Sequence, residues 1–341
     1  MRLGRWQRLA GHLAEAGALG FIDLQPARLG ADLGLAASLA ADGELSAQPF
    51  DLRVVVLDAT SPGTCALPGV IAPPGVRRDG EPRVTTQEAR LPPSAPPGRL
   101  HVTLAHAPLV PQYPDLMPDV RAALIDAHAV VLVVSYGDVI VKPDGRRARE
   151  AQARVRGWLP IATQIAAPDL LTVAVDGVRA SNSNPRSRLA WTRRHAREAL
   201  QLPPDWPAEG IVELSSQAVL EEAAAERAGT APPGQQALAW DAYGITGLLR
   251  RALGPYERDP ARWFTESALR RAGAAFAWAA LDLDDRLAAR PRDGHADQDQ
   301  LLLPHHARQR QAWLLALGLG DWLRTALPEI DAALRCAAGA P

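Results

Sequence analysis

Cysteine is nearly absent from this sequence of 341 residues, which contains only Cys65 and Cys336. Two cysteines so far apart form neither a metal-binding spacing nor a disulfide framework, as is typical of proteins in a reducing compartment. The sequence also lacks an apolar run of about 18 residues, the length that a membrane-spanning helix needs, and its polar N-terminus does not resemble a signal peptide. We therefore expect a soluble, cytoplasmic protein.

An excess of charge of either sign is missing as well. The sequence has 37 Lys and Arg residues against 38 Asp and Glu residues, which gives a net charge of -1. This balance implies no basic surface, so we do not expect nucleic acid as a partner. The chain is 47% hydrophobic and 22% charged, a composition that supports a large core rather than disorder.

Several short segments are apolar almost throughout, which is typical of strands buried on both faces of a parallel sheet. They are 52–57, 100–105, 129–134, 170–175 and 211–214, with a possible further strand at 83–91. Helical patterns at 120–128, 146–166 and 186–200 alternate with these strands. This alternation predicts an open α/β sheet covered by helices, a three-layer αβα arrangement.

The two ends of the sequence have a different pattern. Residues 1–49 show apolar residues at helical spacing, and a second helical region occupies 256–341, beginning near Pro260. We expect three parts: N-terminal helices at 1–49, the α/β domain at 50–255, and a C-terminal helical region at 256–341. The helices of the two ends are expected to pack together as a helical subdomain.

The first predicted strand leads into the turn DATSPGTC, Asp58–Cys65, which has the outline of a phosphate-binding loop, G-x-x-x-x-G-K-[ST]. Gly63 matches the second glycine, but Asp58, Thr64 and Cys65 replace the first glycine, the lysine and the hydroxyl residue. The lost lysine removes a charge-assisted contact of about 1.5–3 kcal/mol. A thiol is too soft for Mg²⁺. Asp58 would repel a phosphate by ~3 kcal/mol at ~5 Å.

From Pro49 to Leu253 the order of these parts resembles a bacterial dynamin-like or related TRAFAC-class P-loop GTPase. The stretch YPDLMPDVRAALIDAHAVVLVVS at 113–135 resembles that family most closely. The resemblance implies a P-loop NTPase-like fold, with helices flanking the GTPase domain. It also implies where the remaining nucleotide-binding positions would lie in this sequence.

Those implied positions have lost their functional residues. In VTT, either Thr85 or Thr86 is similar to the switch threonine. In LAHAPLV, His106 and Leu109 stand at the aspartate and glycine of D-x-x-G. In LLTVAVDGV, Asp176 and Val178 stand at the lysine and final aspartate of the guanine-reading N-K-x-D. Without that final carboxylate, guanine specificity is expected to be absent.

The resemblance and the substitutions together predict a pseudo-GTPase: a GTPase-like protein that is not an enzyme and needs no cofactor, metal or small-molecule substrate. We expect it to bind, scaffold or regulate another protein, by analogy an active GTPase. The former nucleotide face, rimmed by prolines and His106, is a possible contact surface. Membrane contact is expected only indirectly. The alternatives are a diverged nucleotide-binding GTPase, a small hydrolase that uses His106 as a base, and an unrelated α/β domain.

Overall fold

The computed structural model describes residues 50–60, 65–71, 83–89, 100–109, 117–141, 143, 145–178, 185–268, 270–271 and 274. The chain divides into two compact units. One is Ser46–Asp259, and the other combines Met1–Leu45 with Pro260–Pro341. In the second unit, residues 260–268 are helical. The helices predicted for 1–49 and for the rest of the C-terminal region lie outside the described residues.

The unit Ser46–Asp259 contains a six-stranded sheet of order β2-β3-β1-β4-β5-β6. The strands are β1 (Phe50–Asp58), β2 (Thr85–Glu88), β3 (Leu100–Pro108), β4 (Ala129–Ser135), β5 (Leu171–Asp176) and β6 (Ile211–Glu213). Every neighbouring pair is parallel except β2 with β3, which is antiparallel. The structure therefore confirms the predicted α/β class and the mostly parallel sheet.

The central strands explain why the sheet needs cover on both faces. Every residue of β4 from Ala129 to Val134 is buried, although successive side chains of a strand point to opposite faces. β1 lies between β3 and β4 and is buried in the same way from Val54 to Asp58. Helices must therefore cover both faces of these strands.

Seven α-helices of this unit fall within the described residues. They are α1 (Leu67–Ile71), α2 (Met117–Ile125), α3 (Arg146–Ile165), α4 (Pro185–Leu200), α5 (Ser216–Arg227), α6 (Gln235–Ala242) and α7 (Ile245–Arg258). The sequence predicted α2, α3 and α4, with α2 starting three residues earlier than expected. It did not predict α5 or α6, because few of their residues are buried and no apolar stripe marks them. None of the described helices combines the length and the apolarity that crossing a membrane requires.

Tyr256 connects α7 to the turn before β4. Its side chain is fully buried, and its hydroxyl donates a hydrogen bond to the carbonyl oxygen of His128 at 2.9 Å. The two rings also meet edge to face, with their centroids 5.8 Å apart. This contact joins positions 128 residues apart in the sequence and fixes α7 against the sheet.

We expect Tyr256→Phe to lower the free energy of unfolding by about 1–1.5 kcal/mol, because the buried His128 carbonyl loses a donor while the ring contact remains. Urea unfolding followed by circular dichroism measures the change. Tyr243→Phe is the matched control, because Tyr243 is only half-buried at the end of α6, and it should change stability by less than about 0.5 kcal/mol. Equal losses in the two variants would contradict the assigned role of the Tyr256 hydroxyl.

Candidate functional site at the ends of the central strands

The candidate site lies where β1 and β3 end side by side. The two strands are parallel neighbours, with Asp58 opposite Pro108 and Val56 opposite His106. Ligands of open α/β sheets bind beyond the carboxyl ends of such strands. The chain order and the register therefore bring the predicted residues Asp58 and His106 to the place where a ligand would be expected.

Asp58 is buried at this position and is bound from within the chain. One carboxylate oxygen, Oδ1, accepts hydrogen bonds from the Thr60 backbone N–H at 2.9 Å and from the Thr60 hydroxyl at 2.6 Å. The other, Oδ2, lies 3.1 Å from Nε2 of His106. Asp58 is 6% exposed and His106 is 5% exposed. The carboxylate thus occupies the turn as an internal anion.

The surroundings of Asp58 favour its charged form. Burial raises the pKa of the Asp58 carboxyl, but the hydrogen bonds with His106 and Thr60 and the charge of His106 lower it by more, so that the net pKa lies below its ordinary value. Charged acceptors of several hydrogen bonds behave in this way. Asp58 therefore carries a negative charge at neutral pH, and any phosphate entering the turn would meet that charge.

Two backbone N–H groups that could face a ligand are used inside the sheet instead. The Ala59 N–H donates to the Val133 carbonyl at 2.9 Å, and the Leu109 N–H donates to the Asp58 carbonyl at 2.8 Å. Leu109 is buried and stands at the predicted γ-phosphate position. Because its N–H already has a partner in the chain, this position offers no donor to a phosphate.

Arg154 on α3 lies beside the same turn, but it contacts backbone oxygens. Its Nε and Nη2 donate to the Ala59 carbonyl at 3.1 and 2.8 Å, and Nη2 also lies 3.4 Å from the Thr60 carbonyl. Burial lowers the pKa of this guanidinium, and the nearby charges of Glu150, Asp58 and Asp138 only partly offset that effect. Arg154 therefore stabilises the conformation of the turn through its backbone carbonyls.

Cys65 and Thr85 complete the described part of this site. The sulfur of Cys65 and ligand atoms of Asp58 and His106 all lie within 4.8 Å of one another. Thr85 lies directly opposite His106 in the pairing of β2 with β3. Its hydroxyl oxygen is buried and makes no hydrogen bond within the described ranges. Gly63 and Thr64 lie outside the described residues.

The predicted base-reading residues lie at the end of β5. Asp176 is turned toward backbone, because its Oδ1 accepts hydrogen bonds from the N–H groups of Gly177 at 2.7 Å and Ser216 at 2.9 Å. Val178 is buried and its N–H donates to the Leu214 carbonyl at 2.9 Å. The Asp176 carboxylate thus binds the first N–H groups of the following turn and of α5.

A cavity of about 560 Å³ opens next to Val178, between α4, β6 and α7. Five arginines line it: Arg188, Arg193, Arg250, Arg251 and Arg258. Arg188 forms an ion pair with Glu213 at 3.2 Å, and Arg193 donates to the Ile211 carbonyl at 3.2 Å. These two arginines hold α4 on the edge strand, so the basic lining is in part structural.

The sequence analysis did not predict two residues of the site. Thr60 could have been found, since aspartate side chains commonly bind the backbone N–H two residues further on. Arg154 could not, because its partner carbonyl lies 95 residues away. His106, which the sequence placed beside the former nucleotide face, is buried, and its Nε2 lies 3.1 Å from Oδ2 of Asp58.

Neither a protein-family model nor a curated protein matches the sequence. Among solved structures, the chain is similar to the LeoA bacterial dynamin GTPase from ETEC, with a TM-score of 0.39 and 14% identity over 83% of this chain and 46% of that one. It is also similar to Era in complex with MgGDPNP and a segment of 16S ribosomal RNA, with a TM-score of 0.33 and 8% identity over 55% and 59% of the chains. The match thus covers about half of each of these proteins.

Proposed function

We propose that this protein is a GTPase-like protein that neither binds nor hydrolyses GTP and acts as a binding or regulatory partner of another protein. The proposed absence of GTP binding is supported by the buried carboxylate of Asp58. It accepts both the N–H and the hydroxyl of Thr60 and pairs with His106. The turn at the predicted phosphate position therefore already contains a negatively charged carboxylate of the chain itself.

Nucleotide binding would have to displace this internal arrangement. A phosphate near Asp58 meets a repulsion of ~3 kcal/mol at ~5 Å, and it finds the Leu109 N–H already bonded to the chain. Micromolar affinity requires about 8 kcal/mol of net binding free energy. Cys65 at the hydroxyl position is also a poor ligand for Mg²⁺. The residues present therefore do not fit a magnesium–nucleotide complex, and no catalytic step is assigned to one.

The partner role rests on the resemblance of the sequence to bacterial dynamin-like GTPases, with an active GTPase as the expected partner and the cytoplasm as the expected location. A fold alone does not determine a function. The exposed faces of the domain offer apolar contact area at Trp191, 43% exposed, and Leu238, 66% exposed. An affinity pull-down from the native host should recover a GTPase; recovery of nucleic acid alone would contradict this part.

Nucleotide binding is tested by thermal unfolding of the full chain with about 1 mM GTP, GDP or ATP and Mg²⁺. A ligand present at ~100 times its Kd stabilises by about 2.7 kcal/mol, which corresponds to about 5–10 °C for a domain of this size. We expect no saturable shift and no phosphate release from GTP. Mg²⁺ alone and each nucleotide with a chelator are the controls.

A saturable shift with any of these nucleotides would overturn the proposed function. The location of the bound nucleotide could then be tested with two variants. Arg250→Ala alters the cavity beside α7, and Thr60→Val alters the turn after β1. Loss of the shift only in Arg250→Ala would indicate binding in the cavity. Loss only in Thr60→Val would indicate a nucleotide held by the turn in a diverged mode.

A further inference from the structure

Three metal-ligating side chains from separate parts of the chain meet at the ends of β1 and β3. Asp58 ends β1, Cys65 precedes α1, and His106 lies in β3, with their ligand atoms within 4.8 Å of one another. We propose that Asp58, Cys65 and His106 bind one divalent transition-metal ion of the zinc type. The sequence predicted no metal here, because the spacing of the three residues matches no metal-binding motif.

The donor set and its dimensions suit zinc. Zinc binds carboxylate oxygen, imidazole nitrogen and thiolate sulfur at about 2.0–2.3 Å, commonly in a tetrahedron. Two ligand atoms of such an ion lie about 3.3–3.7 Å apart, and Oδ2 of Asp58 lies 3.1 Å from Nε2 of His106. The Asp58–His106 pair therefore needs only a small adjustment, whereas the Cys65 sulfur, which lies within 4.8 Å of both atoms, would move closer by up to about 1 Å. Mg²⁺ is disfavoured, since it requires an octahedral set of oxygen ligands.

The surroundings hold the first ligand in place. Thr60 donates two hydrogen bonds to Oδ1 of Asp58, which leaves Oδ2 directed at His106. Such supporting hydrogen bonds orient metal-binding carboxylates. A second observation comes from Thr85, opposite His106, whose buried hydroxyl oxygen makes no hydrogen bond within the described ranges. A polar group coordinated as the fourth ligand would provide that oxygen with a partner.

The binding step is balanced in protons and charge. Cys65 loses its thiol proton to solvent, and His106 binds as neutral imidazole through Nε2, giving up any proton it shares with Asp58. One carboxylate and one thiolate then neutralise the two positive charges of the ion. The hydrogen bond between Asp58 and His106 is exchanged for two metal–ligand bonds. The proposal does not depend on the pseudo-GTPase function, since it requires no nucleotide.

Cobalt is the probe, since Co²⁺ accepts the same ligands and reports them by absorption. The full chain, stripped with a chelator under reducing conditions, is titrated with Co²⁺ and then with Zn²⁺. We expect one equivalent of Co²⁺ to give a thiolate-to-cobalt charge-transfer band and tetrahedral visible bands, and one equivalent of Zn²⁺ to abolish both. Saturating Zn²⁺ should raise the Tm by about 5–10 °C.

Matched variants separate this site from adventitious binding. Cys65→Ser should abolish the charge-transfer band and weaken Zn²⁺ binding by more than about 100-fold, beyond the loss that an outer-shell change causes. Cys336→Ser should retain the band. His101→Ala should retain it too, although His101 lies 2.9 Å from Asp51 and 3.2 Å from Glu88 in an exposed cluster.

Three results would overturn the proposal. The first is the absence of a charge-transfer band in the wild-type chain. The second is loss of the band in Cys336→Ser and not in Cys65→Ser. The third is stabilisation by Zn²⁺ that survives Cys65→Ser and disappears in His101→Ala. Far-ultraviolet circular dichroism of Cys65→Ser confirms folding, so that a lost band reports on the ligand and not on the fold.

Discussion

Replacing Asp58 by asparagine should lower the free energy of unfolding by about 3 kcal/mol, near the upper end of what a hydrogen bond to a charged group contributes. The amide keeps an acceptor for Thr60, but it removes the charge that faces His106 at 3.1 Å. His106 is 5% exposed, so water cannot replace the lost partner. Urea unfolding of the chelator-treated protein, analysed by linear extrapolation, measures the change.

The same two strands contain a matched control at their other end. Asp51 and His101 lie 2.9 Å apart, but their side chains are 75% and 47% exposed. Exposed ion pairs contribute little, so Asp51→Asn should change stability by no more than about 0.5 kcal/mol. Both variants change an aspartate of β1 that contacts a histidine of β3, so the two sites differ mainly in how deeply the pair is buried. Similar losses in the two variants would show that the pair at Asp58 is not the source of the effect.

Gly244→Ala should cost at least about 3 kcal/mol. A Cβ atom at this position would lie 2.1 Å from the carbonyl oxygen of Glu213, and the backbone has a φ of +84°. The left-handed conformation alone costs about 1–2 kcal/mol for a residue with a Cβ. The carbonyl cannot easily move away, since the Glu213 side chain is bound by Arg188 and Thr192. Thermal and urea unfolding of the variant measure the loss.

Two other glycines distinguish the cost of the left-handed backbone conformation from the cost of the steric clash. Gly177 has a φ of +87°, and a Cβ there would have nothing within 4 Å, so Gly177→Ala should cost only about 1–2 kcal/mol. Gly247 lies inside α7 with open space around it, and Gly247→Ala should raise stability by about 0.5–1 kcal/mol. A loss in Gly244→Ala no larger than that in Gly177→Ala would mean that the clash with Glu213 is relieved.

The strands were predictable and several helices were not, for one physical reason. Segments such as 129–134 are buried on both faces, so their apolar character is visible without knowledge of any partner. α5 and α6 bury few residues, and their positions depend on neighbours that the sequence does not identify. The burial of central strands is thus encoded locally, whereas the placement of half-exposed helices is a property of the whole sheet.

The chemistry of the site was predicted in part. The sequence identified Asp58 as a charge at a predicted phosphate position, but it could not show which groups would bind that charge. His106 lies 48 residues further along the chain, and only the register of β1 with β3 brings the two together. Asp176 is a similar case, since its contact with the Ser216 N–H spans 40 residues. Residue types identified the candidate positions, and strand register determined which groups bind them.

The internal hydrogen bonds of Asp58 and Asp176 also affect how the conformation of their turns changes over time. A free ligand binds and leaves, and a protein that responds to it alternates between two conformations. An anion attached to the chain is always present at its site, so no concentration change outside the protein can remove it. We therefore expect the turn at Asp176 to keep one conformation throughout the lifetime of the folded protein. The turn at Asp58 should change only when a metal ion replaces its contact with His106.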